Sequence, residues 1–197
     1  GGRVGCVRGG KGEKMAADTA EMARRLADAG GELEDFCPDD QALAAWGAEA
    51  GVLVDALFGI GLARPLAGDA LAAVEWMDAS GVPVVAADIP SGVEADTGRV
   101  LGAAVRCAAT VTFTRAKAGH FVGEGGLCTG RLFVAPIGIP EDLVAGLDCP
   151  VRAVEEAMVR LPRRARDAHK GDFGKVYILG GSVGYTGAPV FAAQAAV

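Results

Sequence analysis

Asp55, Asp88 and Ser91 stand where two apolar runs end. Val-Leu-Val-Asp (52 to 55) leads into Gly59 and Gly61, and Pro-Val-Val-Ala-Ala-Asp (83 to 88) leads into Ile89, Pro90, Ser91 and Gly92. In a parallel sheet, ligands bind beyond the carboxyl ends of the strands. Both carboxylates are therefore expected at the edge where chemistry happens. Gly59 and Gly61 let backbone amides approach a phosphate or pyrophosphate closely; the competing reading is a tight turn whose aspartate caps the next helix. In Asp88 to Gly92 a φ-fixing proline holds a carboxylate and a hydroxyl rigidly together. Such oxygens suit a hard cation or acid/base work, and the plainer alternative is a surface turn with local Asx bonding. Lys117 and His120, in Thr114-Arg-Ala-Lys-Ala-Gly-His120, follow another strand end. Lys117 could bring a cation to the same edge, although a solvated lysine is its default reading, and a single loop histidine is more often incidental.

The elements that must position these residues follow from periodicity. Runs as short and apolar as 51–55 and 82–88 predict strands of a parallel sheet covered on both faces. Arg3 to Val7 predicts a short strand, Gly9, Gly10 and Gly12 a turn, and Met15 to Ala29 a helix with Met22, Leu26 and Ala29 on one face. An Ala-rich helix is expected near Gln41 to Ala50. Leu71, Val74 and Met77 or Asp78 recur at helical spacing between Ala67 and Ala79, and Gly81 stops that helix before the next strand. A right-handed crossover then keeps the sheet parallel. Ala109 to Thr114 and Arg131 to Ala135 are β-prone, separated by a long glycine-rich loop from Lys117 to Gly130. The basic run 160–170, loosely bracketed by Pro150 and Pro162, reads as a linker. Beyond it Lys175 to Leu179, Gly180-Gly-Ser182 and a helix from Ala188 restart a strand, glycine loop and helix. The domain expectation is thus 1–150, a linker 151–168, and 169–197.

With 197 residues, 51% of them hydrophobic, and a net charge of −6, the chain can build one full α/β core and part of a second. The acidic balance argues against a nucleic-acid surface. No stretch approaches the roughly 20 apolar residues of a membrane helix, and Gly-Gly-Arg-Val is no signal-peptide start, so no membrane and a cytoplasmic setting are expected. Both ends read as cut. Cysteines 6, 37, 107, 128 and 149 lack Cys-x-x-Cys spacing, which points to buried, reduced thiols and neither zinc nor disulfides.

Val54-Asp-Ala-Leu-Phe-Gly-Ile-Gly-Leu-Ala-Arg-Pro-Leu66 followed by Ala87-Asp-Ile-Pro-Ser-Gly92 resembles the N-terminal module of the NAD(P)H-hydrate repair proteins, the NAD(P)H-hydrate epimerase. His169-Lys-Gly-Asp-Phe-Gly-Lys-Val-Tyr-Ile-Leu-Gly-Gly-Ser-Val-Gly-Tyr-Thr-Gly-Ala-Pro189 resembles the opening of its usual fusion partner, the ADP- or ATP-dependent NAD(P)H-hydrate dehydratase. The resemblance implies a fold class of α/β: a three-layer Rossmann-like domain with a mainly parallel sheet, then the truncated start of a ribokinase-like α/β domain. It implies interconversion of the R and S forms of hydrated NADH and NADPH, and dehydration of the S form in the full-length protein. By the same carry-over Asp55 and Ser91 help bind a potassium ion. Gly59, Ile60, Gly61, Leu62, Ala63, Arg64 and Pro65 hold the hydrated dinucleotide, Asp88 contacts it, and Ala188 falls where the dehydratase meets the hydrated cofactor. The ADP or ATP loop lies beyond Val197. Asp88 is the candidate acid/base group, since a ring-opened or iminium species needs proton transfers at the hydroxyl or ring nitrogen. A homo-oligomer is left open.

The first glycine loop departs from the family pattern Gly-x-Gly-Asn-Asn-Gly-Gly-Asp-Gly. Here it reads Gly10-Lys-Gly-Glu-Lys-Met-Ala-Ala-Asp-Thr19, which places Asp18 on the family aspartate, Lys14 and Met15 on the asparagines, and Ala16 and Ala17 on the glycines. A lost asparagine carbonyl is a lost ion ligand, and Lys14 brings a competing charge. Two readings follow: a divergent working loop in which Asp18 still binds substrate, or a catalytically weak dinucleotide-binding or scaffold module. An ordinary dehydrogenase ranks third, because the loop lacks Gly-x-Gly-x-x-Gly with an acidic residue at the ribose distance.

Overall fold

The structure is a computed structural model that describes residues 3–9, 15–149, 151–160, 163, 165–169, 171–172 and 174–196. Gly10, Gly12 and Lys14 of the divergent loop, together with Lys170 and Phe173, lie outside the described residues. The chain divides into two compact units, Gly1–Val151 and Arg152–Val197.

In the first unit β1 (Cys6–Arg8), α1 (Ala17–Asp28), β2 (Leu33–Asp35), α2 (Gln41–Glu49), β3 (Leu53–Asp55), α3 (Gly68–Ala79), β4 (Val84–Ala87), β5 (Ala109–Phe113), α4 (Gly125–Cys128), β6 (Arg131–Ala135) and α5 (Glu141–Ala145) follow in order. Strands β3-β4-β5-β6 form one sheet in sequence order, and β1-β2 form a separate pair. Every pairing is parallel, with Asp55 beside Ala86 and Ala87 beside Val111. The carboxyl ends of β3, β4 and β5 therefore share one edge, as the alternation of strand and crossover requires.

The core explains the register. Leu53, Val84 and Ala86 point from the strands into a cluster with Val74 and Met77 of α3 and with Leu62, Leu66, Val105 and Cys107. Val74 and Met77, three apart, lie on one helix face and carry the predicted apolar stripe of α3 into that core. A second cluster, Ile89, Val93, Ala95 and Cys128, lies just past the end of β4. The connection from β4 to β5 contains no helix among its described residues; it folds back on itself through an antiparallel bridge between Val93 and Val100.

Several expectations are corrected. Strand β3 is covered on one face only: Leu53 and Asp55 are buried, but Val54 is 65% exposed. A cavity of about 720 Å³ lined by Val4, Val7, Trp46, Val52, Val54 and Leu57 remains along that face. Helix α1 keeps its stripe spacing yet buries no residue. The expected loop 117–130 contains a 3-10 turn (Ala118–His120) and helix α4, because its glycines serve close packing rather than freedom: a Cβ on Gly125 would lie 2.2 Å from the Gly119 carbonyl oxygen. Of the five free thiols, Cys107 and Cys128 are buried, Cys6 is half-buried, and Cys37 and Cys149 are exposed.

The second unit contains a 3-10 turn (Glu156–Met158), an isolated bridge between Ser182 and Tyr185, and α6 (Gly187–Ala195), which begins one residue before the expected Ala188. The strand expected at Lys175 to Leu179 is absent from the described residues; Tyr177 is 90% exposed. A lone extended segment with no neighbour to complete its hydrogen-bond ladder is not a strand. No helix among the described residues is long and apolar enough to cross a membrane.

Candidate active site

Alternation along β3 turns Leu53 and Asp55 to the same buried face. Asp55 is 1% exposed. Its Oδ1 accepts the Ser91 hydroxyl at 2.6 Å and its Oδ2 accepts the Ser91 amide at 2.7 Å. Ser91 Oγ in turn accepts the Phe58 amide at 3.0 Å, and the Leu57 amide reaches Oδ1 at 3.4 Å. Burial raises the Asp55 carboxyl above its ordinary range, opposed by the bonds from Ser91 and then Leu57. No Lys or Arg of the described residues pairs with it. An uncompensated buried carboxylate beside a hydroxyl is a donor set of oxygens alone, which fits a hard cation. Among the described residues no group of three or more His, Cys, Asp or Glu could hold a metal ion.

Asp88 begins the turn after β4 with a φ of +73°, and Thr114 leaves β5 at +64°. Among the described residues these are the non-glycine positions with left-handed backbone, and strain of this kind gathers at functional sites. The two sit at neighbouring strand ends. Asp88 Oδ1 accepts Lys117 Nζ at 2.5 Å and Thr112 Oγ1 at 3.1 Å, with the Phe113 amide more distant at 3.5 Å. Lys117 Nζ also donates to Thr112 Oγ1 at 2.8 Å and to the Phe113 carbonyl at 3.1 Å, so its three protons are all placed. The pair is largely shielded, with side chains 20% and 16% exposed for Lys117 and Asp88. Burial works against ionisation of Asp88, yet the Lys117 ammonium, with Thr112 and Phe113, outweighs it and holds the carboxyl below its ordinary range. Oδ2 carries none of these bonds and faces Gly59, where an added Cβ would come within 3.2 Å of it.

His120, 3% exposed, accepts the Lys117 amide on Nδ1 at 3.0 Å and therefore carries its ring proton on Nε2, which lies 2.9 Å from the Asp88 carbonyl. Burial lowers its pKa, and the Lys117 charge adds to that against the Asp88 contacts, which keeps the ring neutral. Burial, with Asp55 nearby, pushes the Cys107 thiol up to about 12, which removes it as a nucleophile at neutral pH.

The structure thus gathers Asp55, Ser91, Gly59 and Asp88 at one edge. Leu62 puts its side chain into the core, while Ile60, Gly61, Ala63, Arg64 and Pro65 are exposed; Arg64 forms no ion pair with a described residue. Asp18 lies exposed in the first turn of α1 with no side-chain hydrogen bond to a described residue. Ala188 is exposed in α6, within the second unit. Lys117 is not solvated and His120 is not incidental, contrary to the sequence reading. Thr112 escaped it entirely; the alternation of Thr110 and Thr112 inside an apolar strand was the available signal, since both are fully buried.

Thr114 is a position where the fold tolerates strain. Its branched side chain occupies a backbone region suited to glycine, and its buried Oγ1 has no hydrogen-bond partner. Thr114→Gly is expected to raise stability by about 1 kcal/mol, read as a higher urea midpoint at unchanged m.

The family described as YjeF-related protein N-terminus matches residues 1–119. The chain is 45% identical over 143 residues to the bifunctional NAD(P)H-hydrate repair enzyme Nnr of Thermofilum pendens, which covers 73% of this chain and 27% of that protein. It is 48% identical over 88 residues to the NAD(P)H-hydrate epimerase of Weissella koreensis, covering 45% of this chain and 40% of that protein. The chain therefore matches well under half the length of either relative. The crystal structure of yeast ynu0, YNL200c, superposes with a TM-score of 0.58 at 18% identity over 76% of this chain and 62% of that one, a likeness of fold. With the matching segment containing Asp55, Asp88, Ser91 and Lys117 at one strand edge, the chain belongs to the YjeF-related protein N-terminus family.

Proposed function

We propose that the first unit interconverts the R and S forms of hydrated NADH and NADPH, with Asp88 as the base. The observation that carries this reading is the Asp88 carboxyl, paired with Lys117 at Oδ1 and free at Oδ2 beside the 59–65 loop. The hydrated ring carbon bears a hydroxyl next to the ring nitrogen. Oδ2 takes the hydroxyl proton, the carbon–oxygen bond becomes a carbonyl, and the carbon–nitrogen bond breaks with its electron pair going to nitrogen. Oδ2 then returns the proton to that nitrogen. Reclosure on the other face of the carbonyl yields the other epimer, with nothing consumed. A carboxylate below its ordinary pKa favours this opening over loss of hydroxide, which would need an acid.

Asp55 and Ser91 would hold a potassium ion, with backbone oxygens completing its shell. Bound there, the ion supplies positive charge that neutralises Asp55. Gly59, Ile60, Gly61, Ala63, Arg64 and Pro65 line the rim that would take the dinucleotide, Arg64 meeting a phosphate and Leu62 fixing the loop from below. The second unit would open a ribokinase-like dehydratase that uses ADP or ATP supplied beyond this chain, with Ala188 at its entrance, and the setting is cytoplasmic. The second reading, a dinucleotide-binding scaffold, is favoured by one observation: Asp18, the residue aligned with the family aspartate, engages no described side chain.

Chiral chromatography of R-enriched hydrated NADH, incubated with the chain in potassium and in a large-cation buffer, separates the two. The expected result is conversion above the spontaneous rate that rises with potassium. Binding of hydrated NADH without conversion in either buffer would establish the scaffold instead.

A further inference from the structure

We infer that Lys117 is a positioning residue for this reaction, binding Asp88 Oδ1 so that Oδ2 alone meets the substrate hydroxyl, and that His120 locks the Asp88 main chain in the conformation this requires. The inference rests on the epimerase reading above and goes past it to residues that reading does not use.

A carboxylate offers two equivalent oxygens and can present either to a ligand. Here they are made unequal. Oδ1 receives Lys117 Nζ and Thr112 Oγ1, whereas Oδ2 receives neither and faces Gly59. Lys117 cannot swing away, because its remaining protons are placed on Thr112 Oγ1 and the Phe113 carbonyl. For the same reason it offers no proton to the substrate, so it acts through Asp88 rather than on the reacting atoms.

The second hold is on the backbone. Asp88 lies at φ +73°, a left-handed conformation that is uncommon outside glycine and that its surroundings must hold in place. His120 Nε2 binds the Asp88 carbonyl, and His120 Nδ1 accepts the amide of Lys117. The contacts close into a ring from the Asp88 carboxylate through Lys117 and His120 back to the Asp88 carbonyl. Among the described residues, the charged and titratable groups facing Asp88 are Lys117 and His120, both from the turn after β5. From the β3 side Gly59 carries no charge, and Asp55 is tied to Ser91. Removing the Lys117 charge should therefore be felt at Asp88, with no substitute among the described residues.

The test is the epimerisation of hydrated NADH by the 197-residue chain, against pH, in wild type, K117M, K117R, D88N and D88N/K117M. For K117M the expected result is a roughly 100-fold fall in kcat at neutral pH with KM little changed, and an acid limb of the kcat profile moved up by about one unit or more. K117R, which keeps the charge, should leave the limb in place. D88N/K117M should be no slower than D88N, since Lys117 acts only through Asp88. An unmoved limb in K117M, or a double variant slowed by the full K117M factor, overturns the inference. If K117M does not fold, the Asp88 carboxyl is titrated by ¹³C NMR in the wild type, assigned by its loss in D88N. Titration below the ordinary aspartate range supports the clamp, and titration within or above that range overturns it. A wild type that does not interconvert the epimers overturns the functional reading itself, whereas an active wild type with an unmoved K117M overturns only the role of Lys117.

Discussion

Gly92→Ala is expected to cost about 4 kcal/mol of stability, a large part of the margin of a single domain. Gly92 has a φ of +98°, and a Cβ there would lie 1.8 Å from the Ala103 carbonyl oxygen. Both contributions act at once. The left-handed backbone disfavours any side chain, and the obstacle is main chain, which no rotamer change relieves. The clash also falls where the turn is stitched to the following segment: the Leu101 amide donates to the Gly92 carbonyl at 2.8 Å, and the Val105 amide to the Ser91 carbonyl at 3.1 Å. Moving Gly92 outward would pull Ser91 from Asp55. Urea unfolding checks the magnitude, with Gly61→Ala as the comparison, because nothing lies within 4 Å of a Cβ at Gly61. A Gly92→Ala unfolding free energy within about 1 kcal/mol of the Gly61→Ala value would show that the 101–105 segment yields.

Asp88→Asn is expected to slow epimer interconversion roughly a thousandfold while leaving the affinity for hydrated NADH within about threefold. Asparagine is isosteric, and its amide oxygen can still accept from Lys117. The amide nitrogen then takes the place of Oδ2 beside Gly59, where it donates and cannot take a proton. Shape and binding are kept while the base is removed. The measurement pairs a binding titration with the chiral assay at saturating substrate. An unchanged rate with intact binding would remove Asp88 from the chemistry.

The edge of the sheet was legible because parallel strands announce themselves as short apolar runs and their ends as an aspartate before a glycine turn. Asp55, Asp88 and Ser91 were found in this way, and so was α3 from Leu71, Val74 and Met77. What was not legible depends on tertiary burial. Lys117 lies four residues beyond β5 and would be solvated on an ordinary loop; only the fold of residues 117–128 over the end of β4 turns it onto Asp88. His120 is buried by the same turn. The exposure of Val54 was hidden for a related reason. An apolar residue in a strand implies cover, but whether another element packs on that face is decided far away in the chain, and here a cavity lies along it. Lys175 to Leu179 shows the limit from the other side, since strand propensity cannot act without a partner.

Ile89, Pro90 and Ser91, with Asp55, belong to the most deeply buried side chains of the described residues, and Asp55 and Ser91 are also the innermost residues of the site. Folding and chemistry therefore draw on the same residues there, and a change that retunes them also loosens the sheet beneath. The outer rim, Ile60 to Pro65, is exposed apart from Leu62 and is free of that double duty. On the epimerase reading, divergence in which dinucleotide is preferred would have its accessible route through the rim, while Asp55 and Ser91 would stay under the joint constraint of foldability and turnover.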